Sequence, residues 1–338
     1  MQSIATDPQP GRSRRRRRIT AIAVGLAMAA VPAIAIPLTT GSASAAVGPG
    51  IVTGDTTVHD PEIAKTPSGS YLLVHTGPGL TIKTSTDRTA WRNAGRVFPN
   101  GASWTDTYRG SNQDLWAPDI TYVNGQYYLY YSASSFGSNR SAIFLATSST
   151  GASGSWTHRG LVIESRSSDN WNAIDPNLVI ANGRWYLSFG SFWSGIKQID
   201  INPANGLRSG SALRSIAGRG GGAIEAPTIH QRGSYYYLFV SFDRCCAGAA
   251  STYRVMVGRG SSPTGPFYDR NGTNMNNGGG TQILASQRNI GVNGPGHQAM
   301  LADSDADVMF YHYYNSSGSP RLGINLVGYD SAGWPYIY

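Results

Sequence analysis

The sequence predicts an all-β fold, a five-bladed β-propeller, on three observations. Beyond residue 45 no long stretch carries a helical period, and short aromatic strands follow Gly, Asn, Ser and Pro turns. A similar unit also starts five times, at intervals of about 50 to 70 residues, which suits four-stranded blades joined by loops of variable length. A β-sandwich would not explain why polar residues recur at one phase of every unit.

The first element spans residues 1–45. Arg12 and the run Arg14 to Arg18 precede an apolar stretch from Ile19 to Leu38, and the small residues Ala43, Ser44 and Ala45 follow. This is the layout of a secretory signal peptide cleaved near Ala45; Pro32, Pro37 and the small-residue exit argue against a membrane anchor. The whole chain has 27 Lys and Arg against 19 Asp and Glu, but six of the arginines lie in this leader. The remainder is near neutral and has no clustered basic face, which excludes a nucleic-acid partner. Residues 46–338 are therefore expected to be one secreted, extracellular, monomeric domain with no membrane attachment after cleavage.

The units begin at His59-Asp60-Pro61, Ala117-Pro118-Asp119, Ile174-Asp175-Pro176, Glu225-Ala226-Pro227 and Gly296-His297-Gln298. Within three of them a hairpin pair leads into an aromatic strand: Asn124-Gly125 before residues 126–131, Asn182-Gly183 before 184–189, and Arg232-Gly233 before 234–239. The first strand of each propeller blade lines the central channel, so residues of equal phase converge on the axis. That phase supplies Asp60, Asp119, Asp175, Glu225 and His297. Singly, an Asp beside a Pro is an ordinary turn residue. A ring of acids around a channel is costly unless it binds a cation, binds a sugar or performs chemistry.

The two cysteines, Cys245 and Cys246, are adjacent. They form either a vicinal disulfide or a buried thiol pair, and neither a zinc site nor a disulfide framework can be built from them.

A set of strings spread over residues 58–336 resembles the arabinanases of glycoside hydrolase family 43. They are Val58-His59-Asp60-Pro61, Asp114-Leu115-Trp116-Ala117-Pro118-Asp119, Asn172-Ala173-Ile174-Asp175-Pro176-Asn177, Ser191-Phe192-Trp193, Ala223-Ile224-Glu225-Ala226-Pro227, Gly294-Pro295-Gly296-His297 and Gly333-Trp334-Pro335-Tyr336. The resemblance implies hydrolysis of α-1,5-linked L-arabinan and arabino-oligosaccharides with inversion, in an endo mode. It implies Asp60 as general base, Glu225 as general acid and Asp175 as the group that holds the acid's pKa up and orients it. Inverting hydrolysis independently asks for two carboxyl groups with a water between them, and a third acid nearby disfavours ionisation of the acid.

The resemblance further implies a calcium or similar ion (Ca2+) on the channel axis, held through His297. His59, His75, His158, His230 and His312 carry no comparable argument. A carbohydrate cleft mixes exposed aromatics with hydrogen-bonding groups. Trp116, Phe136, Phe192 and Trp193 are the expected platforms, with Ser191 and the segment Asn172, Ala173, Ile174 and Asp175 meeting sugar hydroxyls. The competing readings are an exo-acting arabinofuranosidase or β-xylosidase on the same scaffold, and a propeller lectin. A lectin needs no separated acid and base.

Overall fold

The computed structural model describes residues 47–110 and 112–338; the expected signal peptide lies outside the described residues. Strands Glu62–Lys65, Tyr71–His75, Thr81–Ser85 and Ala90–Arg96 make the first blade. The second comprises Asp114–Val123, Gln126–Ala133, Ser141–Ser148 and Thr157–Ser165. The third comprises Asn177–Ala181, Arg184–Phe189, Ile196–Ile201 and Arg208–Ala217, and the fourth Ile224–Arg232, Tyr235–Phe242, Arg254–Gly260 and Thr281–Leu284. Asn293–Ala302, Asp307–Tyr314, Pro320–Tyr329 and Pro335–Ile337 complete the fifth. Each sheet is an antiparallel meander, and the five first strands touch one another in cyclic order around the axis. The fold is the five-bladed propeller that the repeat predicts.

A blade is covered on both faces by its neighbours, so its strands are continuous apolar runs rather than alternating ones. Tyr71 to His75 are all buried. Their side chains still divide by parity: Leu72 and Val74 pack against Leu115, Ile120 and Leu129 of the second blade, whereas Tyr71 and Leu73 pack against Val308 and Phe310 of the fifth. Three more apolar clusters fill the remaining gaps between neighbouring blades. The ring is closed by backbone, with Gly50 N donating to Ile324 O at 2.8 Å and Leu322 N to Thr56 O at 2.9 Å. Thr53–Gly54 also runs parallel to Ala90–Arg96, so the segment after residue 47 ties the first blade to the last.

The expected hairpins form. Asn124-Gly125 and Asn182-Gly183 both have positive φ, as two-residue turns of the primed type require. In the third hairpin the turn is Gly233-Ser234, not Arg232-Gly233. Arg232 stays paired with Tyr235, and Gly233 takes the positive φ alone.

Each channel strand is entered through a residue of positive φ: Asp60 (50°), Ala117 (44°), Asp175 (59°), Ala226 (53°) and His297 (51°). Such values are uncommon outside glycine, and in the second, fourth and fifth blades the ladder breaks register at the same place. This corrects the expected phase. The residue level with Asp60 and Asp175 in the second blade is Ala117, and Asp119 lies two positions further along the strand. There it accepts hydrogen bonds from Asn177 Nδ2 (3.0 Å) and Leu178 N (3.1 Å). Burial pushes its carboxyl up to about 7, and Glu62, beside it, is raised by burial and by the Asp119 charge. Glu225 stands one position before the Asp60 phase, level with His59, Trp116, Ile174 and Gly296.

Candidate active site

The strand entries open into a cleft of about 1150 Å³ at the mouth of the channel. Asp60, Asp175, Glu225 and His297 line it, as do Trp116, Phe136, Asn172, Ile174, Ser191, Phe192 and Trp193. Ala173 does not. It is wholly buried, and its backbone N donates to Ser165 Oγ at 2.9 Å, so it shapes the loop from behind.

Asp60 is buried, with one hydroxyl donor and three imidazoles beside it. Thr76 Oγ1 donates to its Oδ2 at 2.6 Å, His59 Nδ1 is 2.9 Å from the same oxygen, and His297 Nδ1 is 3.1 Å from Oδ1. Its own amide donates to His312 Nδ1 at 3.1 Å. Burial alone would raise its pKa, but His297, His59 and His312 outweigh that and hold the carboxyl well below the usual range. Three imidazoles therefore neighbour this carboxylate, and of these the sequence singled out only His297, for an ion on the axis. His312 comes from the second strand of the fifth blade and stacks on His59 with centroids 4.0 Å apart.

Glu225 is held differently. Ser191 Oγ donates to its Oε2 at 2.6 Å and the Tyr253 hydroxyl donates to Oε1. Burial raises this carboxyl, and the Asp60 charge adds to the rise against the pull of the two hydroxyls. Tyr253 is buried 1% from full exclusion, against Gly296, where any Cβ would overlap its ring. Asp175 accepts from Ala226 N at 3.1 Å, and its own amide donates to Ser132 Oγ at 3.0 Å. Burial, then the charges of Glu225 and Asp60, push Asp175 well up. Two carboxylates repel each other, so each disfavours ionisation of the other.

The aromatic side of the cleft is built by a strained turn. Phe192 N donates to Ile224 O at 2.9 Å and Gly195 N to Phe192 O at 2.7 Å, with both Phe192 and Trp193 at positive φ. In the second blade Trp116 and Phe136 meet with centroids 5.1 Å apart, and Phe136 is 78% exposed. The side chain of Asn139 gathers Arg166 O, Asp169 O and Trp171 O, fixing the loop that presents Asn172. Sequence reasoning missed His59, His312, Thr76 and Tyr253. His59 adjoins Asp60 in the string Val58-His59-Asp60-Pro61, but the other three lie on second and third strands, or between them, where no phase argument reaches.

Cys245 and Cys246 are joined to each other, which settles the alternative left open by their adjacency.

The family model for glycosyl hydrolases family 43 matches residues 51–335. Extracellular endo-alpha-(1->5)-L-arabinanase 1 of Bacillus subtilis is 45% identical over 290 residues, covering 82% of this chain and 87% of its own. The structure of a GH43 endo-arabinanase from Bacillus licheniformis superimposes with a TM-score of 0.79 at 47% identity, over 85% of this chain and 99% of that one. The Cellvibrio cellulosa alpha-L-arabinanase complexed with arabinohexaose gives 0.79 at 36% identity, over 83% and 95%.

Proposed function

The chain belongs to the glycosyl hydrolases of family 43, and on that premise we propose that it cuts α-1,5-L-arabinofuranosidic linkages within arabinan, with inversion at the anomeric carbon. The observation that carries the catalytic assignment is the split between two buried carboxyl groups of one cleft: the carboxyl of Asp60 is held well below the usual carboxylate range and that of Glu225 is raised above it. An ionised carboxylate can take a proton from water, and a protonated one can give a proton to the departing oxygen.

In this reading a water rests on Asp60 and attacks the anomeric carbon as Glu225 protonates the glycosidic oxygen of the leaving sugar. Inversion needs the two carboxyl groups about 6.5–9.5 Å apart, leaving room for that water. Asp175 is placed to disfavour a second negative charge beside Glu225, since the two carboxyl groups repel when both are ionised, and its grip on Ala226 N, the residue after Glu225, orients the acid through the backbone. Ser191 and Tyr253 fix the carboxyl plane. The substrate is linear arabinan or arabino-oligosaccharides, with Trp116, Phe136, Phe192 and Trp193 offering platforms for the apolar faces of the sugars and Asn172 a hydrogen-bonding group.

For Ca2+ the fit is limited to one nitrogen. Burial lowers the pKa of His297, which favours the neutral ring, and its Nδ1 lies 3.1 Å from Asp60 Oδ1; with the proton on Nδ1, Nε2 would offer a lone pair to a cation whose other ligands would be water. Such an ion would add positive charge beside Asp60. If it does so, chelation lowers both melting temperature and turnover in the native protein and neither in His297→Ala; identical behaviour of the two proteins removes the ion from the account. Secretion as a monomer, through cleavage of residues 1–45, belongs to the same reading, and the Bacillus subtilis relative is named extracellular.

The test of function is product analysis over time on debranched linear arabinan, with xylan as control. A spread of arabino-oligosaccharides is expected. One product length from the outset would mean exo action, and binding without cleavage would mean a lectin.

A further inference from the structure

The cleft has two unlike sides. The second and third blades supply Trp116, Phe136, Phe192 and Trp193, whereas the fourth and fifth, beside Tyr253 and Tyr314, supply Arg244, Cys245, Cys246, Gly248 and Gly318. Here the conspicuous apolar surface is sulfur. Cys245 and Cys246 are bonded to each other, which closes a small covalent ring through the intervening peptide and holds Cys246 at a positive φ of 63°. Cys246 is exposed in the cleft and Cys245 half-buried.

The pair is firmly seated. Cys245 Sγ lies 3.8 Å from His59 Nε2, 3.9 Å from His312 Nε2 and 3.6 Å from the Tyr314 hydroxyl, and Cys246 Sγ lies 3.7 Å from His59 Nε2. The supporting loop is pinned by Asp243, which takes Arg219 at 3.0 Å and Arg254 at 2.7 Å, and by Thr252 N donating to Arg244 O at 2.9 Å. Gly248 and Gly318 pack beside it, and neither places a side chain over the sulfurs.

A metal does not explain this cluster, although His59, Cys245 and His312 converge. The Asp60 amide donates to His312 Nδ1, so the neutral ring carries its hydrogen on Nε2, and that nitrogen has no lone pair to offer. The sulfurs are already bonded to one another.

We propose that the Cys245–Cys246 disulfide is the apolar platform of a sugar subsite, holding the C–H face of one arabinofuranose ring on the side of the carboxyl groups opposite the aromatic cluster. Disulfide sulfur is polarizable and a poor hydrogen-bond partner, so it gains from contact with C–H groups and loses little on leaving water. A rigid platform adds affinity without an ordering cost. The inference rests on the arabinan reading above and extends it to a second side of the cleft.

The test compares the native protein with the Cys245→Ala/Cys246→Ala double variant on linear oligosaccharides from arabinotriose upwards. The kcat/KM for long substrates should fall about tenfold, that for arabinotriose less, and the favoured cut should shift so that fewer sugars lie over the lost platform. Treatment of the native protein with dithiothreitol, which passes two electrons and two protons to the sulfurs and leaves as its own cyclic disulfide, should reproduce the change reversibly. This arm stands even if the double variant fails to fold. An equal fall at every length, with a lowered melting temperature, would make the disulfide structural only, and unchanged kinetics would overturn the subsite. If the native protein cuts none of these sugars, the arabinan reading fails by itself; equal binding of arabinohexaose by both proteins would then overturn the subsite as well.

Discussion

At the scale of single residues, the site separates two chemically similar groups by their surroundings. Asp60 and Glu225 are both buried, and burial raises both. The difference comes from the neighbours: three imidazoles around Asp60, and two neutral hydroxyls with a like charge nearby around Glu225. A consequence can be read in the pH profile. Glu225 must be protonated to act, so activity is lost as pH rises through its raised pKa. The Tyr253 hydroxyl stabilises the carboxylate form and pulls that pKa down. Tyr253→Phe should therefore move the alkaline limb of kcat to higher pH while lowering its plateau, and an unmoved limb would show that Tyr253 only fills space. Of these residues Asp60, Asp175, Glu225 and His297 were legible in the sequence, because each stands at or beside the start of a repeat. Tyr253 and His312 were not, since what brings them to the site is the pairing of strands far apart in sequence.

At the scale of the element, the entry into each channel strand is the informative unit. Positive φ at Asp60, Ala117, Asp175 and Ala226 is followed each time by proline, at 61, 118, 176 and 227, and His297 by Gln298. Aligning the units on those prolines would have put Ala117, not Asp119, level with Asp60, and Glu225 one step earlier. An alignment on the acidic residues instead puts Asp119 at the phase of Asp60, whereas it lies two positions further along its strand. Ala173 misled for a related reason: a string shared with a family marks a whole loop, yet Asn172, Ile174 and Asp175 line the cleft and Ala173 does not. The turn before His297 depends on Gly296, whose missing Cβ admits the Tyr253 ring. Gly296→Ala should displace that ring from Glu225, costing about 1–3 kcal/mol of stability together with most of the turnover. Wild-type melting and rate would remove the role given to this glycine.

At the scale of the whole molecule, the ring of blades brings together side chains whose spacing in sequence gives no hint of contact. Asp60 of the first blade is served by His297 and His312 of the fifth, which the closure at Gly50 and Leu322 keeps in place. The repeat made the architecture legible early, because a unit that must bury both faces leaves a periodic record of aromatic strands and turns. The loops between blades, which give the cleft its two unlike sides, follow no period and had to be seen. The central claim is that this ring places a general base and a general acid in one cleft, and leaving-group chemistry tests it most directly. Rates are compared for Asp60→Asn and Glu225→Gln on linear arabinan and on an arabino-oligosaccharide bearing an activated aryl leaving group, which departs without a proton. Both variants should lose about 10²–10⁴-fold on arabinan, and only Glu225→Gln should recover most of its rate on the aryl substrate. Equal losses of Glu225→Gln on both substrates would contradict the account.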